Sequence, residues 1–564
     1  MKDDLSIARQ AKLLPIADIG AKIGLLPGEL IPYGRTKAKI DLSVLDRVPE
    51  RPNAKYIVIT AVTPTPLGEG KTVNTIGTGL GLNRIGKKTI ICIRQPSMGP
   101  VFGIKGGAAG GGWSQVIPME DFNLHLTGDM HAVGAAHNLL AAWVDTSLIH
   151  GNMYKLDPAS IQLRRVLDVS DRALREIEVG VGEKAAGFPR RTGFDITPAS
   201  EVMACLALAR DAADLRVRLG RIVVGADLSG NPVTAESMGA AGAMAIVMRE
   251  AVMPTLMQTI EGTACFIHAG PFANIAVGNS SIIADRIALR LADYVVTEAG
   301  FGADMGCEKF FDIKCRISGL RPHAVGIVAT LRALKMHGSD VEVKLGKDLP
   351  PSLVEENIDA IDRGFGNLAK HIENVKSFGV QPVVIVNRFP GDTDRELEYV
   401  RKKAIEAGAF RAEISEAFGK GGAGMENVAR ALVEACEAAG DFHLLYPDEW
   451  SIERKIDTLA RNIYGADGVD YEPAALAAIE RYTRWGFANL PICMAKTQLS
   501  LSHDPALRGR PKGFRFPIRD IRLSAGAGFL YPLAGTMMTM PGLPKSPGLL
   551  RMDLDDDGLP QGLF

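Results

Sequence analysis

KYIVITAVTPTPLGEGKT, residues 55–72, is the stretch from which the rest of the chain can be read. Its first nine residues are a β-branched, apolar run of the kind that fills a strand buried on both faces. Its last three, Gly70, Lys71 and Thr72, fit the end of a Walker A loop, G-x-x-x-x-G-K-[ST], but Thr65 stands where the first glycine belongs. TVNTIGTGLGLNRIG (72–86) follows with helical spacing, placing Ile76, Leu80 and Ile85 at candidate buried positions, and KKTIICIR (87–94) is a second short strand. Strand, glycine-rich loop, helix and strand make a βαβ unit, which implies a parallel sheet. The competing reading of Gly-Lys-Thr is a plain turn ahead of a helix; the βαβ context favours a phosphate loop.

The chemistry of such a loop is physical. A helix N-terminus presents unpaired N–H groups and partial positive charge. Gly68 and Gly70 let the backbone approach an anion closely. Lys71 is placed to reach the β- and γ-phosphates of ATP, and the Thr72 hydroxyl to hold Mg²⁺. The ATP-binding segment is therefore Thr65, Pro66, Leu67, Gly68, Glu69, Gly70, Lys71 and Thr72.

Outward from this unit, GRIVVGAD (220–227), TACFIHAG (263–270), ADYVVTEAG (292–300) and AVGIVATLRALK (324–335) each hold a β-branched run, with helical segments such as 235–251 between them. They predict one large α/β domain over residues 1–345, P-loop NTPase-like with a mostly parallel sheet. KLGKDLPPSL (344–353) reads as a boundary. QPVVIVNRF (381–389), a charged helix at 392–408 and a GKGGAG loop ahead of another helix predict a second α/β domain over 346–450. Residues 451–564, rich in Gly and Pro, read as a smaller C-terminal domain.

Composition narrows the function classes. The chain has 564 residues, 46% apolar and 23% charged, with a formal net charge of −1. That balance gives no whole-chain electrostatic support for nucleic-acid binding. Seven scattered cysteines without a CxxC pair argue for reduced thiols rather than disulfides or a zinc ribbon. With no signal-like start and no long apolar span, the expectation is a cytoplasmic protein without membrane contact.

Three further stretches carry candidate chemistry. GIKGGAAGGG (103–112) has six glycines in ten residues around Lys105, and reads either as a flexible surface loop or as a tightly approached ligand loop. Arg94, just past the second strand, lies on the usual ligand side of a parallel sheet and can grip phosphate or carboxylate with two parallel hydrogen bonds. Asp129 opens a helical segment, where an N-cap is the simple role; His125, His131 and His137 lack zinc spacing. TEAGFGADMGCEKFFDIKCR (297–316) gathers Glu298, Asp304, Glu308, Lys309 and Asp312 among aromatics, suiting a polar heteroaromatic ligand or a helix start with its acids.

GIKGGAAGGGW and VATLRALKMHGS (328–339) resemble the two signatures of the formate–tetrahydrofolate ligase family, and TPLGEGKT resembles that family's own phosphate loop, with Thr in the first corner. RQPSMGP, EKFFDIKCR, CMAKTQ, RLSAGAGF and MTMPGLPK resemble further family blocks, from residue 33 to the C-terminus. The resemblance implies ATP-dependent ligation of formate to tetrahydrofolate through formyl phosphate. It also implies catalytic roles for Lys71 and Arg94, and a formyl-phosphate loop of Arg94, Lys105, Gly106 and Gly107. Phe301, Phe389, Pro390 and Phe418 would meet the folate, a monovalent cation would bind near Gln95, and the assembly would be a homotetramer. Departures from the family pattern are Gln95 for Glu, Phe418 for Trp, Val277 for His, Ala269 for Gly, Trp113 for a smaller or phenolic residue and Leu499 for Tyr. They leave open a divergent paralogue with an altered folate or acyl substrate or reduced ligase activity. A regulatory or metal-delivering P-loop switch is the third reading, without the Cys/His cluster that metal delivery needs.

Overall fold

The computed structural model describes residues 3–105, 108–182, 187–341, 343, 349–535 and 537–563, with the Lys105 side chain outside that description. It is built on a 12-stranded sheet. In chain order the strands are β1 (Leu30–Pro32), β2 (Ala38–Ile40), β3 (Lys55–Ala61), β4 (Thr89–Ile93), β5 (Gly110–Gly111), β6 (Ser114–Ile117), β7 (Thr255–Thr259), β8 (Ala264–Ile267), β9 (Tyr294–Gly302), β10 (Ala324–Ala329), β11 (Gln381–Asn387) and β12 (Arg411–Ser415). The spatial order is β1-β2-β7-β8-β4-β9-β3-β10-β11-β12, with β6 beside β7 and β5 beside β6. From β8 to β12 every neighbouring pair is parallel, while β1, β2, β5, β6 and β7 pair antiparallel at the other side.

The β-branched runs explain this arrangement. In β3, Tyr56 and Val58 pack into the core on one face, and Ile57, Ile59 and Ala61 into the core on the other. In β11, Val384 and Val386 face one way, Val383 and Ile385 the other. Strands buried on both faces need helices above and below, and the chain supplies them. Helix α1 (Lys71–Arg84) and helix α2 (Glu426–Glu437) send Leu82, Val428 and Leu432 to one face. Helices α3 (Ile282–Leu291) and α4 (Ile358–Lys376) send Ile283, Ile287, Ile361 and Leu368 to the other. Ile76 and Leu80 are fully buried, as the helical spacing predicts.

Two sequence expectations come out differently. The run 220–227 forms a strand, Val223–Ala226, but pairs antiparallel with Pro232–Thr234 in a separate two-stranded ribbon. The helical reading of 235–251 shrinks to Ala241–Val247, because turn residues take its first part. Strands β11 and β12, beyond residue 345, extend the same sheet as the phosphate-loop strand: β11 is hydrogen-bonded to β10, and β12 to β11.

Candidate active site

The C-terminal ends of the parallel strands gather the candidate residues along one edge, where ligands of open α/β sheets bind. The phosphate loop follows β3, Arg94 and Gln95 follow β4, and Phe301 lies in the last turns of β9. Phe389 and Pro390 follow β11, and Phe418 follows β12.

The loop is closed by its own side chains. Glu69 accepts the Thr65 amide at 2.7 Å and the Thr65 hydroxyl at 3.0 Å, and the Gly68 amide donates to the Thr65 carbonyl at 3.2 Å. Thr65, in the corner where Walker A has glycine, thus serves as a hydrogen-bonding hub. Gly68 and Gly70 take φ of 74° and 72°, the left-handed region that glycine enters without strain. A Cβ on Gly70 would lie 2.5 Å from the Asn387 amide nitrogen, which itself donates to the Glu69 carbonyl at 3.0 Å. Pro66 and Gly68 are exposed at the turn, as an anion site requires.

Beyond the loop, Lys71 Nζ donates to the Phe301 carbonyl at 3.0 Å. Glu298, almost fully buried in β9, accepts the Thr72 hydroxyl on Oε2 at 3.0 Å and Arg94 Nε on Oε1 at 3.3 Å. One carboxylate therefore ties the phosphate-loop helix to the arginine two strands away. Arg94 also donates to the Pro271 carbonyl at 3.3 Å. The strand leaving β3 is held from behind: the Thr63 amide donates to Asn367 Oδ1 at 3.1 Å, and its hydroxyl lies 3.1 Å from His371 Nε2. Burial pulls His371 down to about 4, so it is neutral near pH 7.

On the far side of the loop, Phe389 carries the Arg332 guanidinium on its ring face, 4.7 Å from the centroid. Arg332 belongs to VATLRALKMHGS, so the second signature touches the aromatic expected to meet folate. Phe418 is 38% exposed, and its carbonyl accepts the Trp113 amide at 2.8 Å. A Cβ on Gly112 would meet that carbonyl at 2.1 Å, so the glycine-rich stretch packs directly against Phe418. Helix α1 presses on the same segment: a Cβ on Gly77 would lie 2.8 Å from Ala417 Cβ, and one on Gly81 2.8 Å from the Met425 carbonyl. Gly106 and Gly107 lie outside the described residues, as does the Lys105 side chain.

The departures behave unevenly. Gln95 is buried, and neither atom of its amide has a hydrogen-bond partner among the described residues. Its backbone amide donates to the Ala269 carbonyl at 2.7 Å, and Ala269 holds φ 52°, a conformation that favours the glycine it replaces. Val277 is completely buried in the apolar core. Trp113 and Leu499 stay partly exposed. Asp129 begins the helix Asp129–Ile149 as expected, but Gly128 occupies the cap position; Asp129 instead pairs with buried Lys39 at 2.6 Å. That ion pair joins residues 90 positions apart, so a local capping rule could not find it.

Asn387, Arg332 and the Thr63, Asn367 and His371 network were not singled out from sequence. Thr63 and Asn387 lie at strand ends and Arg332 lies within VATLRALKMHGS, whereas Asn367 and His371 sit within α4 with no local signal. Glu298 belongs to the charged stretch 297–316 noted above, but its link to Thr72 and Arg94 depends on strand order.

Comparison with known proteins identifies the family. Residues 2–564 match the family model described as formate–tetrahydrofolate ligase. The formate–tetrahydrofolate ligase of Desulforamulus reducens is 58% identical over 561 residues, covering 100% of this chain and 99% of that protein. That of Roseiflexus castenholzii is 56% identical over 563 residues, covering 100% of both. That of Chloroflexus aurantiacus is 54% identical over 572 residues, again covering 100% of both. With the match running over residues 2–564, the chain belongs to the formate–tetrahydrofolate ligase family.

Proposed function

We propose that this protein ligates formate to tetrahydrofolate at the expense of ATP, giving 10-formyltetrahydrofolate, ADP and phosphate. The observation that carries the reading is the Glu298 bridge between Thr72 and Arg94, which places a nucleotide-binding and an anion-gripping group on one carboxylate. In the first step a formate oxygen attacks the γ-phosphorus and its bond to the β,γ-bridging oxygen breaks, giving ADP and formyl phosphate. In the second, N10 of tetrahydrofolate attacks the formyl carbon, the carbon–oxygen bond to phosphate breaks, and the N10 proton is lost.

The protein's part is positioning and charge neutralisation. The amides of Glu69–Thr72, at the loop's end and the start of α1, cradle the phosphates and Lys71 offsets charge developing on the transferred group. Arg94 grips formyl phosphate, with Lys105, Gly106 and Gly107 closing over it. Phe301, Phe389, Pro390 and Phe418 flank the pterin. The Thr72 hydroxyl and Glu298 carboxylate are hard oxygen donors at one point, a set that suits Mg²⁺ beside the phosphates. Mg²⁺, when bound there, neutralises phosphate charge. The buried, unpartnered Gln95 amide oxygen offers a monovalent cation a neutral donor in place of a carboxylate. Assembly as a homotetramer and a cytoplasmic location belong to the same reading; among the described residues no helix is long and apolar enough to cross a membrane.

Identities of 54–58% over whole chains do not favour the divergent paralogue. The test is steady-state ADP release with formate, tetrahydrofolate and Mg-ATP, with and without K⁺. Release that requires both substrates is expected; ATP hydrolysis indifferent to both would overturn the reading.

A further inference from the structure

A second, cationic cleft opens at the opposite edge of the parallel sheet. It has a volume of about 780 Å³ and is lined by Arg51, Arg210, Arg286, Arg290, Arg321 and His323, with Glu50 and Asp211 as its acids. Five arginines against two carboxylates leave the lining at +3, in a chain whose formal net charge is −1. Most contributing segments precede β3 and β10 or belong to α3, which precedes β9, so the cleft lies at the N-terminal ends of these strands; Arg210 and Asp211 reach it from the turn between the helices Glu201–Leu208 and Ala212–Arg221. The phosphate loop lies past the other end of β3, a seven-residue strand spanning roughly 23 Å.

The arginines are incompletely neutralised. Arg51 pairs with Asp293, and Arg210 with Asp214 at 3.3 Å. Arg290 meets Glu50 at 3.2 Å, but Glu50 is 77% exposed, so that pair is weak. Among the described residues Arg286 and Arg321 have no carboxylate within ion-pair distance, and Arg286 spends one N–H on the Arg210 carbonyl at 2.9 Å. The most telling group is Arg290. Among the described residues its Nε and Nη1 are buried without a hydrogen-bond partner, and burial together with Arg286 pulls its guanidinium below the ordinary value. The C-terminal end of α3 beside it offsets only about half a charge. His323 accepts the Tyr56 amide on Nδ1 at 3.1 Å and burial holds it down to about 4, so near pH 7 it is neutral, with its proton on Nε2 as a further donor.

Buried donors without acceptors, crowded like charges and a cleft of ligand size share one remedy, a multiply charged anion. Guanidinium forks match phosphate oxygens two at a time. We propose that this cleft binds an oligophosphate, the diphosphate or triphosphate part of a small molecule, at a site separate from the phosphate loop and additional to the ligase reaction.

Inorganic pyrophosphate is the probe, titrated calorimetrically into the Lys71→Ala protein, whose phosphate loop is disabled. No formate or folate is present, so the result is independent of the ligase reading. One remaining site is expected. Adding Arg286→Gln and Arg290→Gln should weaken it about tenfold or more, the loss of at least one charge-assisted hydrogen bond. The thermal midpoint without pyrophosphate should hold or rise, since like-charge crowding is relieved. Arg321→Gln, at an exposed position, gives a second variant with little risk to folding and should also weaken binding. Citrate should bind this site far less tightly than pyrophosphate. No pyrophosphate site in Lys71→Ala, undiminished binding in the arginine variants, or citrate binding as tightly would each overturn the proposal.

Discussion

The Lys71 ammonium donates to the Phe301 carbonyl at 3.0 Å, and Phe301 itself holds φ at 60°, left-handed backbone that costs a non-glycine residue free energy. The strained turn at the end of β9 thus presents an acceptor to the lysine of the phosphate loop. Lys71→Ala removes the charge that faces the phosphates. Steady-state ADP release should fall about 10³-fold in kcat, as for loss of a transition-state donor. A variant within tenfold of the parent would exclude the role assigned to Lys71.

Glu298→Gln keeps the size of the side chain and an acceptor oxygen but removes the charge shared by Thr72 and Arg94. We expect kcat to drop about 10²-fold and the Mg²⁺ concentration for half-maximal rate to rise, with the folate KM little changed. An unaltered Mg²⁺ dependence would remove Glu298 from the nucleotide side of the site.

Ala269→Gly tests the backbone at the Gln95 turn. An alanine at φ 52° is strained by about 1 kcal/mol, which glycine relieves. Spread over a chain of 564 residues, that gain should raise the thermal midpoint by about 1 °C, measurable by calorimetry. A lowered midpoint would mean that the methyl group's packing outweighs the strain.

Gly81→Ala acts at a distance. Its Cβ would lie 2.8 Å from the Met425 carbonyl and must push the segment that carries Phe418. Overpacking of this kind costs about 1 kcal/mol or more, so the folate KM should rise about fivefold while the ATP KM holds. Equal rises in both constants would point to general disruption of α1.

Glu308 and Asp312 supply a pH dependence. Among the described residues both Glu308 oxygens and one Asp312 oxygen are buried without a donor, which is the pattern of two carboxyls that share a proton. Burial, then Asp312, pushes Glu308 well above the carboxylate range; Asp312, raised by burial to about 7, still pairs with Arg316 at 3.4 Å. Glu308 therefore holds the proton. In the unfolded chain such groups titrate near about pH 4. The stability they contribute is complete below that value and is lost as pH rises through about 7. The thermal midpoint should decline from about pH 4 to above about pH 7, and Glu308→Gln, which donates permanently, should flatten that decline. A parent profile that is already flat would refute the shared proton.

What could be read from sequence was what is local. The phosphate loop occupies eight consecutive residues, so its glycines, Lys71 and Thr72 were all legible. The strands announced themselves by β-branched runs, and helix α1 by its spacing. What failed to show is what depends on strand order. Asn387 reaches Glu69 across 318 positions, and Glu298 reaches Thr72 across 226. The run 220–227 looked like any other buried strand, because nothing local says which sheet it joins. The Pro-Pro stretch near 350 signalled a boundary, yet hydrogen bonding of β10 to β11 carries the sheet past it.

That continuity works as a ruler. From β3, which carries the phosphate loop, to β12, which carries Phe418, there are three strand spacings, about 14 Å of backbone hydrogen-bond ladder. The phosphate loop and the proposed pterin-side Phe418 are thus held at a fixed offset by a lattice that cannot stretch without breaking its ladders. In the proposed reaction an acyl phosphate formed at one station would be handed to the next within a single rigid frame, and whatever opens or closes around it must be loop rather than sheet.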